Sequence, residues 1–167
     1  VAAARASQAV PVPADAPVPP QVHARWGQAS ASWTYRDAAG QTLLHVRRFD
    51  PAGGERKQIL PLSWGTYPDR HGVMHTGWHW RSLPAPRPLY GLDRLAARPD
   101  APVLVVEGEK AADAARAHGY VATTSPHGAK SASCADWSPL AGKRVAILPD
   151  NDADGEVYAT TVTGILL

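Results

Sequence analysis

Apolar and polar residues follow a strand-then-helix pattern in the C-terminal part of the chain. Residues 103–107 form a short, valine-rich run bounded by proline and glycine, which is typical of a strand buried on both faces. The alanine-rich segment 109–118 predicts a helix, and Gly119 supplies its C-terminal stop. Further predicted elements are strands at 120–124 and 144–148, a short helix within 133–140 and a last helix at 154–162. This order predicts an α/β fold, with a parallel sheet whose strands are joined by right-handed crossovers.

The middle of the chain alternates differently and predicts a small antiparallel meander. Turn-forming Asp, Pro and Gly residues separate short β-branched and aromatic runs. The predicted strands are 33–36, 41–49 and 56–62, and the predicted turns are 37–40 and 50–54. Segment 63–90 is rich in Trp, Tyr and His but has no regular period, so we expect a loop there.

The N-terminal segment 1–22 consists mainly of Ala, Pro and Val and shows neither the helical period of 3.6 nor the strand period of 2. Proline interrupts helices and cannot donate to a strand ladder, so we expect a disordered linker. The predicted organisation is a linker at 1–22, a basic antiparallel β subdomain at 23–100 and an α/β domain at 101–167. Because the chain starts at Val1 and not at Met, we expect it to be part of a longer protein.

Acidic residues stand directly after two of the predicted parallel strands. Glu107 closes the first strand, and Asp150 and Asp152 follow the last one. In open parallel sheets chemistry gathers at the carboxyl ends of the strands, so these side chains should meet at one edge. Crowded carboxylates repel one another and require a cation. Oxygen ligands suit a hard ion, so the pattern predicts a Mg²⁺ site, with Mn²⁺ as the alternative metal.

Two other interpretations of these acids are weaker. Segment 150–155 matches the first half of an EF-hand loop, but its twelfth position is Thr161 and not Glu, and the preceding residues predict a strand. Acids also favour helix N-termini, which explains Asp154 at the start of the last helix. Capping does not explain why both strands end in acid, so the metal-site interpretation is preferred.

The motifs Glu107-Gly108 and Asp150-Asn151-Asp152 resemble those of the TOPRIM domain, which bacterial-type primases, topoisomerases and some nucleases share. The runs VVEGEK and PDND are similar to those of primase-like proteins of phages, plasmids and integrated elements, and the resemblance covers residues 101–163. It implies a TOPRIM-type, Rossmann-like parallel sheet with flanking helices. It also implies a further strand, so we expect a C-terminally truncated domain, with GILL at 164–167 as the start of that strand.

The resemblance implies roles for single residues. Asp150 and Asp152 would hold the metal, and Glu107 would either bind metal too or act as general base, two roles that stay open. Glu109 is an added acid of the EGEK variant, and Ala111 stands where bacterial primases commonly have Asp. The candidate phosphate-binding or nucleic-acid-binding residues are Gly108, Lys110, Gly128, Lys130, Arg47 and Arg48.

The function that the resemblance implies is that of a DNA primase of a mobile element. It would be a nucleotidyltransferase that makes an RNA primer from NTPs on a single-stranded DNA template, with Mg²⁺, and a helicase domain or protein would be a further partner. Two alternatives stay open. One is a TOPRIM nuclease that cleaves phosphodiesters with the same acids. The other is a degenerate TOPRIM module that only binds nucleic acid or a helicase partner.

Charge is distributed unevenly along the chain. Residues 1–100 hold 12 Lys or Arg against 7 Asp or Glu, whereas residues 101–167 hold 5 against 8. A basic part beside an acidic part fits a nucleic-acid groove next to a metal site, although an ordinary solvated surface fits equally well. Trp78 and Trp80 are candidates for stacking on the template, but such residues more often fill a core.

Cysteine content and hydropathy narrow the class of protein further. The single Cys134 excludes an internal disulfide and a cysteine-based zinc site. His75 and His79 lack a helical context, so we expect no zinc site there. No apolar run approaches the roughly 20 residues that span a bilayer. We therefore expect a cytoplasmic protein without a membrane partner.

Overall fold

The structure is a computed structural model, and it describes residues 6–53 and 55–167. It is a mixed α/β structure that divides into two compact units. The first unit comprises Val1–Thr34 and Gln41–Leu83, and the second comprises Tyr35–Gly40 and Pro84–Leu167. Each unit has its own sheet, antiparallel in the first and parallel in the second.

The first unit is built on the antiparallel meander that the turn residues predicted. Its strands are β1 (Ser7–Gln8), β2 (Val22–His23), β3 (Gly27–Gln28), β4 (Ala31–Arg36), β5 (Thr42–Phe49), β6 (Gln58–Pro68) and β7 (Met74–His79). The larger sheet has the order β1-β6-β5-β4, with β7 also paired to β6, and β2 and β3 form a separate pair. In β5, Leu44, Val46 and Phe49 are buried, so both faces of the strand contribute buried apolar residues.

The structure differs from the expected linker over residues 7–22. Ser7 and Gln8 pair with Thr66 and Gly65 of β6. Further along, the Val12 N–H donates to the Thr42 carbonyl at 2.7 Å. The composition misled the prediction because proline removes donors but leaves carbonyl acceptors, and this segment is held through both its carbonyls and its remaining N–H groups.

The loop expected at 63–90 is wrong over its first half. Strand β6 continues to Pro68, and Met74–His79 returns beside it as β7. Trp64 and Trp78 lie directly opposite each other, with ring centroids 5.4 Å apart in an edge-to-face contact. Cross-strand aromatic pairs of this kind stabilise a hairpin, but the interspersed glycines and histidines hide the period of two from a sequence pattern.

The second unit alternates strands and helices around a parallel sheet. Its elements are α1 (Leu92–Ala97), β8 (Val103–Val106), α2 (Glu109–Ala117), β9 (Val121–Thr123), β10 (Val145–Leu148) and α3 (Ala153–Leu166), with 3₁₀ helices at Ala129–Cys134 and Ser138–Leu140. The strand order is β10-β8-β9, and both pairs are parallel. Central β8 is valine-rich because it is covered on both faces.

The core of the second unit explains why its boundary differs from the predicted one at 100/101. Leu89 and Leu95 pack in the same buried cluster as Val103, Val105 and the α3 side chains. Segment 84–100, including the unpredicted helix α1, therefore belongs to the parallel-sheet unit.

The C-terminal run GILL is helical rather than the start of a strand. Residues 164–166 complete α3, and Leu166 packs against the core cluster of the unit. The resemblance implied a strand here, but the run continues the helix, and Leu167 at its end is exposed. None of the helices in the described part of the chain has the length and apolar character needed to cross a membrane.

Candidate functional site

The register of the parallel sheet brings the first two predicted acids together. Val106 of β8 lies opposite Leu148 of β10, so Glu107 and the Pro149-Asp150 segment leave the sheet at the same edge. The prediction that these two residues, 43 positions apart in the sequence, leave the sheet at one strand edge is therefore confirmed.

Glu107 sits in an environment that disfavours its negative charge. Burial raises the pKa of its carboxyl group above the ordinary value, and the charges of Asp150, Asp152 and Asp154 raise it further, while the Asp150 N–H works against this. Atom Oε2 of Glu107 is buried without a hydrogen-bond partner, and it is the one such side-chain atom among the described residues. A buried carboxylate oxygen without a partner is costly unless a proton or a cation satisfies it.

The loop after β10 is wound tightly onto the start of α3. The Asp152 N–H donates to the Asp150 carbonyl at 2.9 Å, and Asp152 Oδ1 accepts from the Gly155 N–H at 2.8 Å. Asp152, and not Asp154, is therefore the N-cap of α3. Capping explains one oxygen of Asp152, so the helix-capping interpretation accounts for more of the motif than the sequence suggested.

Gly155 permits the close approach of this loop. A Cβ at that position would lie 2.1 Å from the Asp150 carbonyl oxygen, well inside van der Waals contact. The Gly that follows the Asp-x-Asp motif is therefore required by packing against the backbone of the first Asp.

The donor chemistry of this acidic edge, defined as Glu107, Asp150 and Asp152, fits a hard cation, but its geometry does so only in part. Among the residues that the structure describes, no three His, Cys, Asp or Glu side chains are grouped so that they could hold a metal ion. The prediction of one ready-made set of three carboxylates is thus not confirmed. Mg²⁺ commonly binds through one or two carboxylates, keeps several waters and takes further ligands from substrate phosphates. The partnerless Oε2 of Glu107 matches that kind of site.

The structure gives mixed outcomes for the other predicted phosphate-binding residues of the second unit. Gly108 has φ +93°, a conformation that favours glycine, and Gly128 has φ +65°. Lys110 is exposed in the first turn of α2. The side chain of Lys130 lies outside the described part of the structure.

Glu109 points to a different place from Glu107. Its carboxylate is buried, with the side chain only 7% exposed, and its Oε1 accepts a 2.8 Å hydrogen bond from the Tyr35 hydroxyl. Burial raises the pKa of Glu109, and the Tyr35 hydrogen bond works against that rise. The added acid of the EGEK run is therefore a packing residue of α2 and not a member of the acidic edge.

The basic and aromatic residues predicted to guide a template are mostly engaged in the first unit. Arg47 is 1% exposed and hydrogen-bonds to Ser32 Oγ, so it is not available to nucleic acid in this arrangement. Arg48 is exposed but forms a paired hydrogen bond with the Asp50 carboxylate, at 2.8–2.9 Å. The residue pattern misassigned Arg47 because a charged residue gives no sign in the sequence that it is buried.

The two candidate stacking residues also pack within the first unit. The ring of Trp78 contacts Trp64 and His45, and its Nε1 donates to the Pro17 carbonyl at 2.7 Å. Trp80 lies in edge-to-face contact with two rings, those of His23 and Phe49. Both indoles therefore serve packing, the use that the base expectation for Trp favours.

Sequence reasoning missed three buried hydroxyl residues beside the acidic edge. Thr124, Ser125 and Tyr158 are at most 1% exposed and hydrogen-bond to one another and to the end of β8. The signal for the first two was their position at the end of the predicted strand 120–124, which Thr124 closes and Ser125 follows. Tyr158 carried no signal, since one Tyr in a helix is ordinary.

Comparisons with known proteins do not assign a function to the chain. No family model matches the chain, and neither a curated protein nor a solved structure matches it significantly. The functional interpretation accordingly rests on the geometry of the acidic edge and on the spacing of its residues.

Proposed function

We propose that the second unit is a TOPRIM-type domain of a primase-like protein. Its reaction is Mg²⁺-dependent nucleotidyl transfer that makes an RNA primer on a single-stranded DNA template during replication of a mobile element. The observation that carries the proposal is the position of Glu107 and Asp150 at adjacent strand ends, with a buried Glu107 oxygen that lacks a partner. The order of strands and helices in this unit supports the TOPRIM-type fold.

The roles of the acids follow from their positions. Asp150 would hold the ion, and Asp152 would contribute through the oxygen that does not cap α3. A divalent ion bound there supplies charge neutralisation at the transferring phosphate and lowers the pKa of the attacking hydroxyl. Glu107 fits two roles, that of a metal ligand and that of a general base, and its partnerless Oε2 is compatible with either.

Residues around the acidic edge would bind the phosphate-bearing ligand and orient it. Exposed Lys110, one turn into α2, is placed to attract a phosphate group. Gly108 lets the backbone approach a ligand closely, since a Cβ there would meet nothing within 4 Å. Neither residue needs to take part in proton transfer.

One observation favours a second candidate function, that of a module that binds nucleic acid or a helicase partner without catalysis. Within the described ranges the acids do not form a three-ligand metal group, and one oxygen of Asp152 is already bonded to the Gly155 N–H as the cap of α3. A degenerate site of this kind would still show the motif spacing. It would bind its partner equally well with and without Mg²⁺.

The test is a primer-synthesis assay with the full chain, single-stranded DNA, NTPs and Mg²⁺. Short RNA products from the wild type, lowered about 100-fold or more in both Glu107→Gln and Asp150→Asn, support the proposal. Asp100→Asn is the matched control, because Asp100 is exposed and precedes the opposite end of β8. Cut DNA without RNA products indicates the nuclease. DNA binding without either product, unchanged by EDTA and by Asp150→Asn, indicates the binding module.

A further inference from the structure

The peptide groups on both sides of Glu107 are held by buried hydroxyl groups. The Val106 carbonyl, which precedes Glu107, accepts a hydrogen bond from the Tyr158 hydroxyl at 3.3 Å. The Gly108 N–H, which follows Glu107, donates to Thr124 Oγ1 at 2.9 Å. The backbone around the acid is therefore fixed at two points, from helix α3 and from the segment after β9.

The Thr124 contact is the shorter and the more specific of the two. Thr124 is 0% exposed, and its hydroxyl donates to the Ser125 carbonyl at 3.3 Å while it accepts from Gly108. Gly108 is the N-cap of α2, where the helix leaves N–H groups without intrahelical partners. Thr124 thus satisfies a donor that would otherwise be orphaned beside the acidic edge.

The two contacts belong to one connected set. Ser125 donates through its N–H and its hydroxyl to the Tyr158 hydroxyl, at 3.5 Å and 3.4 Å. Thr124, Ser125 and Tyr158 form the hydroxyl cluster, which links the ends of β8 and β9 to α3. Buried polar networks whose members are satisfied make their surroundings rigid. A metal site requires such support, since its ligands must be held to within about 0.5 Å.

We propose that Thr124 is a positioning residue for Glu107: its buried hydroxyl holds the Gly108 N–H and so fixes the Glu107–Gly108 turn in the geometry that binds the divalent ion. The metal-binding part of this inference rests on the proposed function. The hold on the turn does not, because it is a property of the metal-free chain. Thr124 acts through the backbone and touches no substrate, so its effect is on affinity for the ion.

The test uses Thr124→Val, which removes the hydroxyl at nearly constant shape, and Thr124→Ser, which keeps it. Thr123→Val is the matched control, because Thr123 is equally buried and its hydroxyl donates at 2.9 Å to the Tyr90 carbonyl, away from Gly108. Two quantities are measured on the full chain. The first is the hydrogen-exchange rate of the Gly108 amide by NMR, and the second is the Mn²⁺ dissociation constant by electron paramagnetic resonance.

The expected result is a selective effect of Thr124→Val. It raises the Gly108 exchange rate about tenfold and weakens Mn²⁺ binding about 10-fold or more, the usual effect of losing support to a metal ligand. In Thr124→Ser the Gly108 exchange rate and the Mn²⁺ dissociation constant stay within about threefold of the wild type. Thr123→Val does not change the Gly108 exchange rate or the Mn²⁺ affinity beyond any general effect on stability. Tyr158→Phe, which removes the hold on the Val106 carbonyl, weakens Mn²⁺ binding in the same direction.

Three outcomes overturn the inference, and they can be told apart from failure of the proposed function. An unchanged Gly108 exchange rate in Thr124→Val means that the hydroxyl does not hold the turn. A raised exchange rate with unchanged Mn²⁺ affinity, or equal losses of affinity in Thr123→Val and Thr124→Val, means that the hold does not position the site. Absence of Mn²⁺ binding in the wild type overturns the proposed function together with the metal part, while the exchange rates still decide whether Thr124 holds the turn.

Discussion

Replacing Gly155 by Ala tests whether the Asp150–Gly155 loop is as tight as the structure shows. The added Cβ would meet three backbone atoms of Asp150, its carbonyl oxygen at 2.1 Å, its carbonyl carbon at 2.9 Å and its nitrogen at 3.0 Å. These atoms are backbone, so no rotamer change relieves the overlap. Either α3 or the loop that carries Asp150 must move by roughly 1 Å to restore an ordinary contact.

The magnitude follows from two opposing contributions. Overpacking of this kind costs about 1–3 kcal/mol of unfolding free energy. Alanine in place of a helical glycine returns up to about 1 kcal/mol. We therefore expect Gly155→Ala to be destabilising on balance, and we expect weaker Mn²⁺ binding because the displaced loop carries Asp150.

Gly164→Ala is the matched control on the same helix. A Cβ at Gly164 would meet nothing within 4 Å, so the variant should keep the helix-propensity gain without the clash. The assay is urea denaturation of wild type and both variants, with Mn²⁺ titration of each. The difference between the two variants isolates the clash, about 1–3 kcal/mol. Equal stabilities within about 0.5 kcal/mol would refute the tight loop.

Three other perturbations test separate parts of the account by denaturation. Tyr35→Phe leaves a buried carboxylate on α2 without its donor and should cost about 1.5–3 kcal/mol, while the control Tyr120→Phe, at a residue 62% exposed, should cost nothing measurable. Because the pKa of Tyr35 is raised well above 10.0, the wild type should lose more stability than Tyr35→Phe as pH rises past 10, where only the unfolded chain ionises this group; Tyr90, whose pKa is also raised, contributes equally to both. Arg47→Ala should cost about 1–3 kcal/mol through lost packing and Arg48→Ala less than about 1 kcal/mol, and equal costs would contradict the burial of Arg47. Glu107→Gln should be at least as stable as the wild type in EDTA, since it removes a charge that burial and neighbouring acids disfavour, and Mg²⁺ should stabilise only the wild type.

Local patterns predicted most of the second unit because local chemistry determines it. Valine-rich β8 is buried on both faces, and the alanine-rich segment that follows has high helix propensity. What the patterns did not show depends on contacts between distant residues. Helix α1 is short, and Leu95 joins the core only through tertiary packing. Residues 164–166, expected to start a strand, continue α3, and Leu166 packs partly buried against the core cluster.

The site was predictable at the level of position but not of hydrogen bonding. A strand that ends in acid puts that acid at the sheet edge, so Glu107 and Asp150 could be paired from sequence. The different roles of neighbouring acids could not be predicted from the sequence, because they depend on the direction in which each side chain leaves the backbone. Glu109 turns to the Tyr35 hydroxyl, and Asp152 caps a helix.

Tertiary packing also determines which basic residues are exposed, whereas a charge pattern does not distinguish them. Arg47 and Arg48 are neighbours on β5, yet the first is buried and the second pairs with Asp50 at the surface. Both faces of β5 hold buried residues, such as Val46 on one face and Phe49 on the other, so strand alternation does not separate the two arginines. The sequence could not show that Arg47 is buried, since an arginine at a buried position breaks the usual pattern.

The most direct test of the central claim is a crystal of the protein soaked in Mn²⁺ and measured at the manganese absorption edge. The account predicts an anomalous peak within coordination distance of Glu107 Oε2 and close to Asp150, and no peak there in crystals of Glu107→Gln. A well-ordered acidic edge without an anomalous peak, at Mn²⁺ concentrations that fill ordinary carboxylate sites, would contradict it.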